Sequence, residues 1–385
     1  MIKILYEFIF NNFVKYWPII IYFFINALFI LKYGESYNIP LLIAYFTGIL
    51  VIVKFYNKTD FKESAYKILF WSLGILFFCG SVGVNYVIDG KSLNVDRWDA
   101  MEIGIKAILN NEYPYSIKDY MGRESSNLPF LIILGMPFYL LFGSVGYLQC
   151  FCFLLFLYII FKIFKDYKQR LIILIFLAFS PSYLWEIYTK SDLFSNFIIL
   201  VALIYLIQKN FVEKKNLNII TVSILISLMV LTRFSVIIPL ILLFFRPFFK
   251  LSIKDKLLFV LSSVITISSV LYLFFHQAES LDLFVKHNPL IIQAGKQPVI
   301  VTALYIITAL ILSFKVKLLQ HIILWGGGIL FICILLTFSY YMVVLGYENM
   351  ITNSNFDISF FNMSMPFIVI AMGMKVFINL KSQRQ

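Results

Sequence analysis

The residues that could do chemistry are few, and most of them lie close together. Residues 89–127 hold seven of the chain's 20 acids: Asp89, Asp96, Asp99, Glu102, Glu112, Asp119 and Glu124. Within this stretch Trp98, Met101, Ile105 and Ile108/Leu109 recur at helical spacing, while Asp99, Glu102 and Lys106 share another face. The pattern predicts an amphipathic helix lying at a membrane surface. It should stop at Asn110-Asn111 and lead into the extended Tyr113-Pro114-Tyr115. Asp96, just before the helix, has two readings. As an N-cap it would bind first-turn amides, with Asp99 as a partial capping box. As an uncommitted carboxylate at a helix start it would serve as a general base. Further along, Arg233 interrupts two apolar runs at their junction. A charge at mid-membrane costs about 2.5–3.5 kcal/mol on insertion scales, so Arg233 must snorkel, find an acid or do a job.

The elements that position these residues follow from composition. Of 385 residues 61% are hydrophobic and 14% charged, against about 25% charged in soluble domains. That excludes a water-soluble enzyme, a fibrous protein and a disordered scaffold, and predicts an all-α, polytopic membrane protein forming a single integral membrane domain over 1–385. The net charge of +12 is read as cytoplasmic loop bias rather than nucleic-acid binding. Cys79, Cys150, Cys152 and Cys333 sit inside apolar runs and read as small hydrophobes.

Thirteen apolar runs are bounded by charges. Lys54, Lys58, Lys62 and Lys67 mark one loop as cytoplasmic, and Lys162, Lys165, Lys168 and Arg170 mark another. Three runs lie between them, and three crossings would put the second basic loop on the wrong side. One must fail to cross. Residues 128–142, with Pro129, Gly135 and Pro137, are the expected re-entrant or interfacial segment. Twelve spans remain, with both termini cytoplasmic. This plan places 22 Lys/Arg and 6 Asp/Glu inside, and 10 Lys/Arg and 14 Asp/Glu outside. The cytoplasmic loops are too short for a nucleotide-binding domain and lack a Gly-rich phosphate cradle. The chemistry is therefore expected on the outer face, and a multi-pass protein of a bacterial inner membrane is the localisation expected.

The stretch DRWDAMEIGIKAILNNEYPYS (96–116), followed by SSNLPFLIILGMPFYLLFG (125–143), resembles the first outer loop of GT-C superfamily glycosyltransferases. The resemblance extends to Ser180-Pro181 with Lys190-Ser191-Asp192, similar to a second acidic position of that family. It includes Leu231-Thr232-Arg233, similar to its L-T-K/R, and ends near Pro239. Departures are two helices within 1–64 ahead of a core over 65–250, Asn110-Asn111 where Gly is expected, and a D-x-x-D pair instead of one Asp. Residues 251–385 carry no match. The resemblance implies transfer of a sugar from a polyprenyl-phosphate donor to an acceptor hydroxyl of a lipid or glycan, by a single displacement on the extracytoplasmic face. It implies Asp96 as base with Asp99 second, and Arg233, Arg97 and Lys190 as donor-phosphate ligands. Asp192, Glu186, Tyr115 and Asn127 would be substrate contacts. No cofactor is implied; a divalent metal is compatible with the acids, but no metal-ligand spacing calls for one. His276, Glu279, Asp282, His287 and Asp357 read as solvated loop residues. The rival readings are an O-antigen-type polymerase and a transporter or flippase of lipid-linked sugar; a transporter should show charges at mid-span and matched halves, and no internal repeat is present.

Overall fold

The computed structural model describes residues 2–295, 297–352 and 356–377, with side chains from residue 15 onward except at 352. Among these residues there is no strand, and the apolar runs have become helices. They are α1 (Ile2–Tyr33), α2 (Asn38–Lys58), α3 (Glu63–Val87), α4 (Arg97–Leu109), α5 (Pro129–Phe142), α6 (Tyr147–Ile163), α7 (Tyr167–Ala178), α8 (Pro181–Tyr188) and α9 (Leu193–Ile207). There follow α10 (Ile219–Val230), α11 (Ile237–Phe249), α12 (Ile253–Phe275), α13 (Leu281–Lys286), α14 (Pro289–Ala294), α15 (Val299–Ser313), α16 (Leu319–Tyr347) and α17 (Met365–Lys375). Among the described residues six helices are long and apolar enough to cross a membrane, or up to nine if each of three bent pairs is one span. Three further apolar helices, Ile219–Val230, Phe234–Phe249 and Met365–Lys375, are shorter. Length and composition thus stop short of the twelve spans expected, because several runs are broken or brief.

Proline makes the breaks. Pro181 has no N–H and cannot continue α7, so α8 departs at 59°. Inside an apolar bundle the freed polar groups need partners. Buried Asn26 of α1 supplies them, its Oδ1 accepting from Ser180 Oγ at 2.7 Å and from the Ser182 amide at 3.1 Å.

The bundle has two chemically different rims. At one, Lys168 Nζ donates to Thr59 O (2.7 Å) and the Tyr167 amide donates to Glu63 Oε1 (2.7 Å). The two basic loops that parity required on one side therefore touch. Gln169 Nε2 reaches Gly373 O at 2.8 Å, bringing the end of α17 to the same rim. The opposite rim gathers 89–128, Asp192, Arg233, the segment 276–298 and Asp357, joined by Gln293 Nε2 donating to Ser126 O and Tyr113 Oη donating to His287 O.

Helix α5 begins and ends at this second rim. The Phe130 amide donates to Leu231 O (3.0 Å), and past its far end the Val145 amide donates to Glu102 Oε1 on α4 (3.2 Å). Gly143, at φ +76°, closes α5 in the left-handed region, and α6 leaves at 109°. The helix has 14 residues, about 21 Å at 1.5 Å per residue, against a hydrocarbon core of ~30 Å. It is pinned along α4 by two reciprocal contacts. Ile132 sits on Gly104 and Met101 on Gly135, where a Cβ at either glycine would overlap its neighbour.

The helix expected at 98–109 is present as α4, yet its acidic face is not solvated. Trp98, Met101 and Ile105 are buried as the pattern requires, but so are Asp99 and Glu102. The second face is covered by 119–123 and by the α5–α6 turn, which satisfy the two carboxylates with the Tyr120 and Val145 amides. A solvated surface helix is thereby corrected to one packed on both faces.

If the two rims face opposite sides of a membrane, cysteines at Ser144 and Lys58 must be labelled by an impermeant maleimide from opposite sides, in a protein with Cys79 replaced by Ser. Labelling of both from one side would overturn this arrangement.

Candidate functional site

Asp96 stands at the start of α4, but its side chain makes no capping bond to that helix. Instead its Oδ2 accepts from Arg123 Nη1 at 2.9 Å. The N-cap reading is therefore not the one realised. Arg123 is delivered by a tight turn in which Asp119 Oδ1 accepts from the Met121 and Arg123 amides, both at 2.9 Å, with Gly122 at φ +76°. Burial, with Asp96 and Asp99 nearby, raises the Asp119 carboxyl above its ordinary value, and the two amide donors oppose that rise.

Arg97, the next residue, points toward the far end of the chain and pairs with Asp357, 260 residues away. Its guanidinium lies over the Phe360 ring, 5.3 Å from the centroid. Burial would raise the Asp357 carboxyl, but Arg97 together with the amide and hydroxyl of Ser359 reverses that and holds it at about 2. Arg97 Nη1 is buried without a protein partner.

Arg233 follows α10 in extended conformation and directs Nε (3.2 Å) and Nη2 (2.5 Å) at one oxygen of Asp192. Both side chains are less than a tenth exposed, and Asp192 Oδ1 has no partner. Glu186 lies deeper, accepting from Asn362 Nδ2 at 2.9 Å, and Asn362 also donates to Ser182 O.

These groups meet in a polar cavity of ≈480 Å³ lined by Asp96, Arg97, Arg123, Asn127, Arg233 and Asp357, among others. Asn127 Nδ2 is buried and unpaired at its wall. A second cavity of ≈390 Å³ adjoins it and is lined mainly by apolar side chains of α11, α15 and α16, including Ile237, Tyr305, Ile306 and Ile334. The two share Arg233, Phe356 and Phe360. A charged chamber thus borders a mainly apolar groove, with an arginine in the wall they share. Such a pair of spaces suits a molecule with an anionic head and an apolar tail.

Of the residues singled out by sequence, Asp96, Arg97, Asn127 and Arg233 line the chamber, and Asp192 stands directly behind Arg233. Glu186 is one layer further in. The other three lie elsewhere. Asp99 accepts from the Tyr120 amide at 2.8 Å and holds the turn that carries Arg123. Lys190, at φ +52° in the α8–α9 corner, packs its stem beneath Gly146. Tyr115 is fully buried in an apolar cluster beside Phe274 and Phe275. Asp357, read from sequence as a solvated loop residue, and Arg123, which was not singled out, both line the chamber. No local signal marked either: Asp357 lies in a polar stretch with Asn353, Ser354, Asn355 and Ser359, and the place of Arg123 depends on a turn.

Comparison of the chain with protein-family models, curated proteins and solved structures finds no match. The class is therefore defined by the fold alone: an all-helical chain whose long apolar helices are compatible with a multi-pass membrane protein, carrying a polar chamber at one rim.

Two outcomes are expected. Removing one member of a buried ion pair strands the other at a cost of about 3–5 kcal/mol. Asp192→Ala should accordingly lower the thermal unfolding midpoint in detergent more than the double variant Asp192→Ala/Arg233→Met; equal losses would show that the pair is not what the residues maintain. The Asp357 carboxyl is depressed in the folded chain, so its stabilising contribution is present above about pH 4 and is lost as pH falls toward 2. Hydrogen exchange of 356–363 should accelerate over that range, and Arg97→Met should remove the pH dependence.

Proposed function

We propose that this chain is a membrane glycosyltransferase of GT-C type that moves a sugar from a polyprenyl-phosphate donor to an acceptor hydroxyl. The observation that carries the reading is that Asp96 and Arg233 line one polar chamber, which adjoins a mainly apolar groove at Arg233. The groove takes the prenyl chain near its phosphate, Arg233 takes the phosphate, and the sugar enters the chamber. Asp192 occupies the Nε and Nη2 side of the Arg233 fork, leaving Nη1 for a phosphate oxygen.

The reaction is one displacement. Asp96 accepts the proton of the acceptor hydroxyl while that oxygen forms a bond to the anomeric carbon. The bond from this carbon to phosphate oxygen breaks, its electron pair leaves with polyprenyl phosphate, and Arg233 faces the charge that develops. Arg123 positions the Asp96 carboxylate, and Asn127 offers its free amide to a sugar hydroxyl or phosphate oxygen.

The same reading takes α5 as a re-entrant segment, since both its ends meet the acidic rim. It takes the twelve remaining apolar segments as crossings, on the parity of the basic loops. The acidic rim is then extracytoplasmic and the basic rim cytoplasmic, in a bacterial inner membrane.

The test is transfer from labelled polyprenyl-phosphate sugar in membranes. Asp96→Asn should lose about 10²–10⁴-fold in rate, and full transfer by this variant would remove Asp96 as the base. Arg233→Lys should raise the KM for donor more than it lowers kcat, since it keeps the charge and loses the fork; an unchanged KM would exclude Arg233 as the phosphate ligand.

A further inference from the structure

On the far side of Asp96 from Arg233 lies a third cavity, of ≈290 Å³. It shares Asp96, Arg97, Arg123 and Asp357 with the polar chamber. The Asp96–Arg123 and Arg97–Asp357 ion pairs therefore form a partition between two spaces, and the candidate base faces both. The outer wall of this third cavity is aromatic. Tyr33, at the end of α1, stacks on Trp185 of α8 with ring centroids 5.3 Å apart and planes at 27°. Tyr188 is nearly half exposed beside them. Polar groups of Asn94 and Thr189 complete the lining.

Aromatic rings in a cavity wall, edged by hydrogen-bonding groups, match a pyranose ring: its axial C–H bonds make one apolar face and its hydroxyls a polar rim. The charges narrow the choice. Three cations, Lys32, Arg97 and Arg123, face two carboxylates, Asp96 and Asp357. Each arginine is engaged by one carboxylate. Lys32 has no carboxylate within ion-pair distance among the described residues; its Nζ lies over the Tyr33 ring at 5.6 Å. Arg97 Nη1 is buried at the partition with no partner. Lys32 without an ion-pair partner, plus an unfilled guanidinium donor on Arg97, offers two anchors for an anion on the ligand.

We propose that this cavity is the acceptor site and that it takes a pyranose bearing an anionic group, a carboxylate or a phosphate, stacked on Tyr33 and Trp185 with the anion near Lys32. A hydroxyl of this ring would then reach Asp96, which lines both cavities, and be deprotonated there for attack on the anomeric carbon. The substrate class rests on the transferase reading; the binding site can be tested without it.

The experiment is saturation-transfer NMR on the full chain in nanodiscs, without donor, using methyl glucuronide, glucose 6-phosphate and methyl glucoside as probes and inorganic phosphate as a competitor for their signals. Both anionic sugars should bind at least tenfold more tightly than methyl glucoside, with saturation on the ring protons. Lys32→Met should abolish that tenfold preference and leave the neutral sugar unchanged. Trp185→Ala should remove saturation of all three sugars, and Trp185→Phe should retain it, which separates lost stacking from misfolding. Which anionic sugar binds better identifies the acidic group. Equal binding of neutral and anionic sugars would overturn the charge assignment; inorganic phosphate binding as tightly as glucose 6-phosphate, or no saturation of ring protons, would overturn the pyranose site. Because no transfer is measured, loss of these signals is distinct from failure of Asp96→Asn to slow the reaction.

Discussion

A charge taken out of water must be matched by another, and in an apolar bundle this requirement shapes the whole of one rim. Arg233 follows one apolar helix and precedes another, and it is accommodated because Asp192, 41 residues earlier, directs a carboxylate oxygen at it. Arg97 meets the same requirement across 260 residues through Asp357. Each pair ties the segment after α3 or α10 to a segment from a different part of the chain. Neither could form until several helices had packed, so the pairs register the finished bundle.

The pairs also explain why the site has compartments. A polar chamber inside a helical bundle invites closure by apolar side chains unless charged groups hold its walls. Here the arginine–carboxylate pairs stand as posts: Arg233 between the chamber and the apolar groove, Arg97 and Arg123 with their acids between the chamber and the aromatic cavity. An amphipathic donor and a polar acceptor need separate approaches to one reacting atom, and positioning of this kind supplies much of the rate in displacement reactions. The positions of Asp96 and Arg233 in a shared space are what the proposed chemistry draws on.

The placement of Asp96 and Arg97 depends on two small helices that pack through glycine. Helix α4 carries Asp96 and Arg97, and its place is set by α5, whose Gly135 admits Met101 while Gly104 of α4 admits Ile132. The buried acids of α4 are satisfied by amides of the neighbouring loops. That the acidic face of α4 is covered could not be inferred from its periodicity, since the pattern records which residues share a face and not what packs on it. Asp99 and Glu102 thus serve to hold loops, and Lys190 and Tyr115 were placed in the packing by neighbours far away in sequence.

Composition and local charge determined a good deal by themselves. The helical class, the location of the acid-rich segment, the meeting of the Lys54–Lys62 and Lys162–Arg170 loops and the anomalous behaviour of residues 128–142 all follow from hydropathy, from proline and from the bias of Lys and Arg, which act over one helix or one loop. Local forces also marked Asp96 as a carboxylate at a helix start and Arg233 as costly where it stands. Their partners were decided only by tertiary structure. Asp357, Arg123 and the Tyr33–Trp185 stack come from three separate regions, and nothing in the neighbourhood of any one of them encodes which buried charge or ring it will meet. Pairing of that kind is a property of the packed bundle, because the desolvation that makes it necessary exists only once the helices have closed around it.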